Sequence, residues 1–107
     1  MPNRVLTCVV SVSGIRGIVG SSFDIDQAMG LAAAYGRSLA AGGTVVLGRD
    51  SRPTGALFAQ AVAAGLRGVG CTVVDIGVVP TPTVPIAIAA SRAAGGIQIS
   101  ADRKSVV

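Results

Sequence analysis

Thr44-Val45-Val46-Leu47-Gly48-Arg49-Asp50-Ser51-Arg52-Pro53-Thr54-Gly55 changes character within a single short stretch. Residues 44–47 are apolar and mostly β-branched, a run too short for a helix and well suited to a buried strand. Gly48 to Gly55 is a polar loop with two arginines and an aspartate. From about Ala56 to Val69 the sequence then reads as a helix, with Leu57, Ala61, Leu66 and Val69 as its core positions. Gly70 stops that helix, and Cys71 to Ile76 is a second β-branched run. A strand, a helix and a strand in this order form one right-handed crossover unit with parallel pairing.

The same alternation continues on both sides. Downstream, 77–83 is a turn, and Pro85 sets the start of the next helix near Thr83 or Val84, because proline is tolerated in a first turn only. That helix runs to about Arg92, Gly95-Gly96 closes it, and Ile97 to Ser100 is another strand. Upstream, Asp24 and Gln27 have the spacing of a capping box. Ala28, Leu31, Ala32, Tyr35 and Leu39 follow on one helical face, ended by Gly42-Gly43. Val5 to Val12 reads as a first strand, and 13–20 as a tight glycine-rich turn. The expected fold is α/β: a three-layer α/β/α domain with a mostly parallel four-stranded sheet. The loops 48–55 and 77–83 and the junction at Ala101 then leave the C-terminal ends of strands, the edge where open α/β sheets bind ligands.

Composition narrows the function classes. The chain has 107 residues, enough for one domain, and half are hydrophobic. Phe23, Tyr35 and Phe58 are its aromatic residues, so aliphatic side chains and alanine must build the core. The net charge is +4, yet the arginines are dispersed, no basic run is present, and few aromatics could stack on bases. Nucleic-acid binding is not expected. Histidine and glutamate are absent, which removes imidazole acid–base chemistry and the usual zinc sites. Cys8 and Cys71 lie in separate valine-rich strands and read as buried free thiols. No signal peptide and no apolar run of about 20 residues is found, so a cytoplasmic protein without membrane partners is expected.

Two loops carry the candidate chemistry. Arg49 and Arg52 flank a helix start, where guanidinium forks, backbone N–H groups and the helix dipole together make an anion site. The alternative is an internal Arg–Asp pair that only holds the loop. Ser13-Gly14-Ile15-Arg16-Gly17 places a further arginine on a glycine turn; its spacing fits neither a dinucleotide fingerprint nor a P-loop. On its own that segment reads as a tight turn with a solvated arginine.

Taken together, Ser11-Val12-Ser13-Gly14-Ile15-Arg16-Gly17, Gly48-Arg49-Asp50-Ser51-Arg52, Pro80-Thr81-Pro82-Thr83 and Gly95-Gly96-Ile97-Gln98-Ile99-Ser100-Ala101 resemble the first domain of the α-D-phosphohexomutase superfamily. The resemblance spans residues 5–101. It implies a fragment of a four-domain enzyme that moves a phosphate between C1 and C6 of a hexose, with glucosamine or mannose phosphate the expected substrate. The parent would use Mg²⁺ and a phosphoserine in a Ser-Ala-Ser-His-Asn-Pro signature. Ser100 and Ala101 match the first two signature residues, and position 102, here Asp102, would be the phosphoserine. The resemblance also implies that Ser13, Gly14, Arg16 and Gly17 support that residue, with Arg16 beside it, and that Arg49 and Arg52 line the same side of the cleft. No metal ligands and no intact catalytic residue are expected in this chain, and domains II–IV would cover part of its surface.

Asp102-Arg103-Lys104-Ser105-Val106-Val107 departs from the signature at the reactive position. Two readings stand. Asp102 could be a permanent negative charge in a non-catalytic sugar-phosphate-binding module. Alternatively, 102–107 is a non-native tail: its back-translation matches one frame of a short-read sequencing adapter whose next codon is a stop. Without these residues, seven arginines face four aspartates, a balance of +3.

Overall fold

A computed structural model describes residues 8–14, 17–39, 42–51, 53–80 and 82–101, with 8–23 and 101 described in backbone only. The elements run β1 (Cys8–Gly14), β2 (Gly17–Phe23), α1 (Ile25–Ser38), β3 (Thr44–Arg49), α2 (Pro53–Gly68), β4 (Thr72–Val78), α3 (Thr83–Ser91) and β5 (Gly95–Ala101). They form one five-stranded sheet in the order β2-β1-β5-β3-β4. β3 pairs in parallel with both β4 and β5, whereas β1 is antiparallel to β2 and to β5. β2, β3, β4 and β5 therefore run one way and β1 alone runs against them.

The α/β/α class agrees with the sequence reading, and the strand count is corrected. Gly17–Phe23 is a strand, not the second half of a turn. Its glycines and serines, Gly17-Ile18-Val19-Gly20-Ser21-Ser22, carry almost no β-branched periodicity, so edge pairing with β1 makes this strand rather than local propensity.

Side-chain alternation sorts the strands onto two faces. Val45, Leu47, Ile97 and Ile99 enter one core with Ala28 and Ala32 of α1 and Phe58, Val62 and Leu66 of α2. Gly48 and Gly96 face the other way, against Val84 and, for Gly96, Ile88 of α3. Two helices thus cover one face and the nine-residue α3 covers the other. α1 begins as expected: the Gln27 N–H donates to the Asp24 carboxylate at 2.8 Å, and the Asp24 N–H donates to Gln27 Oε1 at 3.0 Å.

Of the expected α2 core positions, Ala61 and Leu66 are buried and Val69 packs against the core, while Leu57 differs. Phe58, Val62 and Leu66 are fully buried while Leu57 is 49% exposed. Helix start at Pro53, a position that needs no N–H, turns 58-62-66 inward at a spacing of four. Small residues allow the helices to approach closely. A Cβ on Gly65 would lie 2.6 Å from the Met29 carbonyl oxygen of α1.

Candidate functional site

Three segments meet at the C-terminal edge of the parallel strands, and backbone hydrogen bonds hold them together. Arg49 ends β3, and its carbonyl accepts from the Val79 N–H beyond β4 at 2.9 Å. The next residue, Asp50, donates its N–H to the Ile99 carbonyl of β5 at 2.9 Å. Ser100 follows directly, half-buried, on the same sheet face as Gln98 and α3. The junction at Ala101 therefore emerges beside the loop that starts at Asp50, as the strand order requires.

The loop itself is packed against the first turn of α2. A Cβ on Gly55 would stand 3.3 Å from Asp50 Oδ1, so glycine there leaves room for the carboxylate. The Arg49 side chain leaves the edge. It belongs with Val45 and Leu47 on the α2 face, and its Nη1 lies 3.8 Å from Asp75 Oδ1 of β4. The same Asp75 oxygen accepts the Gly77 N–H at 2.7 Å. Arg49, Gln60, Arg67, Asp75 and the alanines of α2 line a lateral groove of about 290 Å³. The Arg49 partner is thus an aspartate of β4, outside the loop, and the pair is not the loop-internal one. With Asp75 half exposed and the separation near the limit, such a pair contributes at most about 1 kcal/mol.

The other expected site residues divide between places. Arg16, Arg52 and Asp102 lie outside the described residues, as does the whole of 102–107. The β1–β5 register sets Gly14 opposite Gly95 and Ser13 opposite Gly96, while Val9 is opposite Ser100. Ser13, Gly14 and Gly17 therefore stand where β5 begins, the far end of the sheet from Ser100. Five residues of strand, at about 3.3 Å each, separate those ends. Among the described residues, Ser13, Gly14 and Gly17 are therefore not brought together with Arg49 and Ser100. The expectation came from the family resemblance; the antiparallel pairing of β1 with β5 sets Ser13 and Gly14 beside the start of β5 rather than its end.

Gln98 was not among the expected site residues. It is 2% exposed, its Nε2 reaches the Val79 carbonyl at 3.4 Å, and its Oε1 has no partner. An amide within an otherwise apolar strand run, Gly95-Gly96-Ile97-Gln98-Ile99, was the available signal.

No group of three or more His, Cys, Asp or Glu side chains among the described residues could hold a metal ion. Asp24 caps α1 and Asp75 faces Arg49, so those carboxylates do not fit a magnesium site. No helix among the described residues is long and apolar enough to cross a membrane. Cys71 is a buried free thiol whose Sγ lies 3.7 Å from the Gly36 carbonyl oxygen.

An α/β/α domain whose strand ends carry a Gly-Arg-Asp loop beside a Ser-Ala strand terminus is the class defined by this fold and edge. Residues 9–105 match the family model of the phosphoglucomutase/phosphomannomutase α/β/α domain I, and the chain belongs to that family. It is 39% identical over 107 residues to the phosphoglucosamine mutase of Frankia alni, covering 90% of this chain and 24% of that protein. It is 46% identical over 90 residues to the phosphoglucosamine mutase of a Synechococcus strain, covering 82% and 19%. The Rhodococcus erythropolis phosphoglucosamine mutase is 41% identical over 93 residues, covering 82% and 21%. The chain spans about a fifth to a quarter of the length of the curated relatives it matches.

Proposed function

We propose that residues 1–101 are the first domain of a hexose-phosphate mutase acting on glucosamine phosphate, and that this polypeptide alone does not turn substrate over. The observation that carries the reading is the β5 terminus. Ser100 and Ala101, the matched start of the phosphoserine signature, leave the sheet at its ligand edge, hydrogen-bonded through Ile99 to the Gly-Arg-Asp loop. The phosphoglucosamine mutases among its relatives support the substrate class.

The reaction needs a phosphoryl group at the residue after Ala101. Asp102 occupies that position and carries none. A carboxylate also has less negative charge than a phosphate, whose second ionisation is near pH 6. The remaining substrate contacts, and the Mg²⁺ of the parent enzyme, are assigned to domains II–IV, outside this chain. We assign 102–107 to adapter translation, a reading that any codon departing from the adapter sequence in the source DNA would sink. The location of the parent is the cytoplasm under this reading.

Two assays test it. The purified 107-residue chain, given glucosamine 6-phosphate with its bisphosphate primer, should show no turnover above a blank. Residues 1–101 grafted in place of the matching segment of the Frankia alni enzyme, with that enzyme's own signature continuing after Ala101, should restore activity. A folded, inactive graft would count against the assignment. The alternative, a stand-alone sugar-phosphate-binding module, predicts a saturable calorimetric signal with the 107-residue chain; a flat titration is expected.

A further inference from the structure

We propose that the outward face of α3, centred on Ile86, is an internal interface, covered in the parent protein by polypeptide that continues beyond Ala101. This rests on the reading above, that the chain is one domain of a larger mutase.

The starting point is the composition of α3. Its residues, Thr83-Val84-Pro85-Ile86-Ala87-Ile88-Ala89-Ala90-Ser91, include no charged side chain, and Val84 is the one classed as buried. Ile86 is 67% exposed, and Pro85, Ala89 and Ala90 also face outward. Apart from Thr83 and Ser91 at its ends, α3 is apolar on every side, the pattern of a helix that belongs in an interior. The other helices do not share this pattern. α1 and α2 present Asp26, Gln27, Arg37, Gln60 and Arg67 to solvent. The apolar surface extends to the neighbouring edge strand, where Val74 is 40% exposed and by its register shares the α3 face with Val46.

The size of the patch selects the occupant. Nine helical residues make a strip about 13 Å long and about 10 Å wide. Stable complexes between separate chains bury roughly 800 Å² on each partner, several times that strip. A tethered neighbour faces no such threshold, because the link supplies a high effective concentration. A neighbour is also implied by length: three-quarters or more of each relative's chain lies outside the matched portion. β5 ends at Ala101 on the edge of the sheet where α3 begins, so the continuing chain leaves beside this helix. The absence of charge on α3 fits an apolar domain face and gives a separate acidic or basic partner nothing to recognise.

The test is the reactivity of a cysteine placed on the face. Ile86→Cys is introduced into the 107-residue chain, into the Frankia alni graft described above, and, at the aligned position, into the intact Frankia alni enzyme. Maleimide labelling of that peptide is followed by mass spectrometry and normalised to its rate in concentrated urea. Fast labelling is expected in the 107-residue chain at every protein concentration, with at least tenfold slower labelling in the graft and the intact enzyme. Equal rates in the short chain and the intact enzyme would overturn the proposal. Labelling of the short chain that slows with concentration would overturn it too, by making a second copy the occupant. Mutase activity of the graft reports separately on the assignment: an active graft with an unprotected position 86 refutes the interface and leaves the enzyme reading intact.

Discussion

The backbone N–H of Asp50 donates to the carbonyl of Ile99 at 2.9 Å, joining the loop after β3 to the strand that carries Ser100. With the Val79 N–H bonded to the Arg49 carbonyl, main-chain hydrogen bonds link the ends of β3, β4 and β5.

That alignment depends on Gly48, the residue before the loop. A Cβ there would lie 2.8 Å from Gln98 Oε1, 2.8 Å from Val79 Cγ2 and 2.9 Å from Val84 Cγ2. All three neighbours are packed, and Gln98 is buried, so the clash is not relieved by one flexible side chain. Gly48→Ala should destabilise the domain by about 1–3 kcal/mol, the usual range for overpacking. Urea unfolding followed by circular dichroism measures it, and a midpoint equal to that of the unaltered chain would refute the packing argument.

Two helical glycines should respond in opposite directions. Gly65 faces α1, where a Cβ would sit 2.6 Å from the Met29 carbonyl oxygen and 3.2 Å from Ala32 Cβ. Gly65→Ala must push α1 and α2 apart and should cost about 1–3 kcal/mol. Gly30, within α1, has open space where a Cβ would stand. Gly30→Ala should stabilise by roughly 0.5–1 kcal/mol, because alanine is the better helix former. Measured side by side in urea, loss of stability in both variants would contradict the open space at Gly30.

Asp75 has two partners of different kinds, and they can be separated. Asp75→Asn removes the charge facing Arg49 but keeps an oxygen able to accept from the Gly77 N–H. Its cost should be below about 1 kcal/mol and should vanish at high salt, as for exposed ion pairs. Asp75→Ala loses both partners and should cost more, at every salt concentration. A charge-dependent loss for Asp75→Asn well above 1 kcal/mol would mean that the pair is less solvated than its half-exposed carboxylate implies.

Much of this fold is legible in the sequence because local chemistry and tertiary structure agree there. The Asp24–Gln27 capping box starts α1 without help from the rest of the chain, and Ala28 and Ala32 are buried as their spacing requires. The strand ends at Arg49, Val78 and Ala101 share one edge because β3, β4 and β5 pair in parallel, as alternating strand–helix–strand units lead one to expect. β2 is not legible, since its own glycines and serines favour a turn and only antiparallel pairing with the adjacent β1 makes it a strand. The antiparallel pairing of β1 with β5 sets Ser13 and Gly14 at the edge opposite Ser100. Leu57 and Phe58 show a smaller failure. Both are apolar and adjacent, and only the starting phase of α2 determines which one turns inward. Arg49 can be read as a charge at a strand end, but not as a partner of Asp75, because the sequence does not say which face of β3 that side chain takes.

Tyr35 offers a pH probe of the core, since it is the single tyrosine and the chain has no tryptophan. Burial holds its phenol above the ordinary value of 10.0, while a backbone hydrogen bond from Gly96 opposes this to a lesser extent. The unfolded chain releases this proton near pH 10, whereas the folded chain retains it to higher pH. Stability from this group is therefore complete below about pH 10 and is lost as pH rises through the folded-state value. Phenolate absorbance of the native chain should show a midpoint above 10, and one at or below 10 would refute the burial argument. Tyr35→Phe should remove that portion of the alkaline loss. At neutral pH the variant should lose about 0.5–1.5 kcal/mol, the usual contribution of one hydrogen bond, because Gly96 no longer has the hydroxyl as a partner.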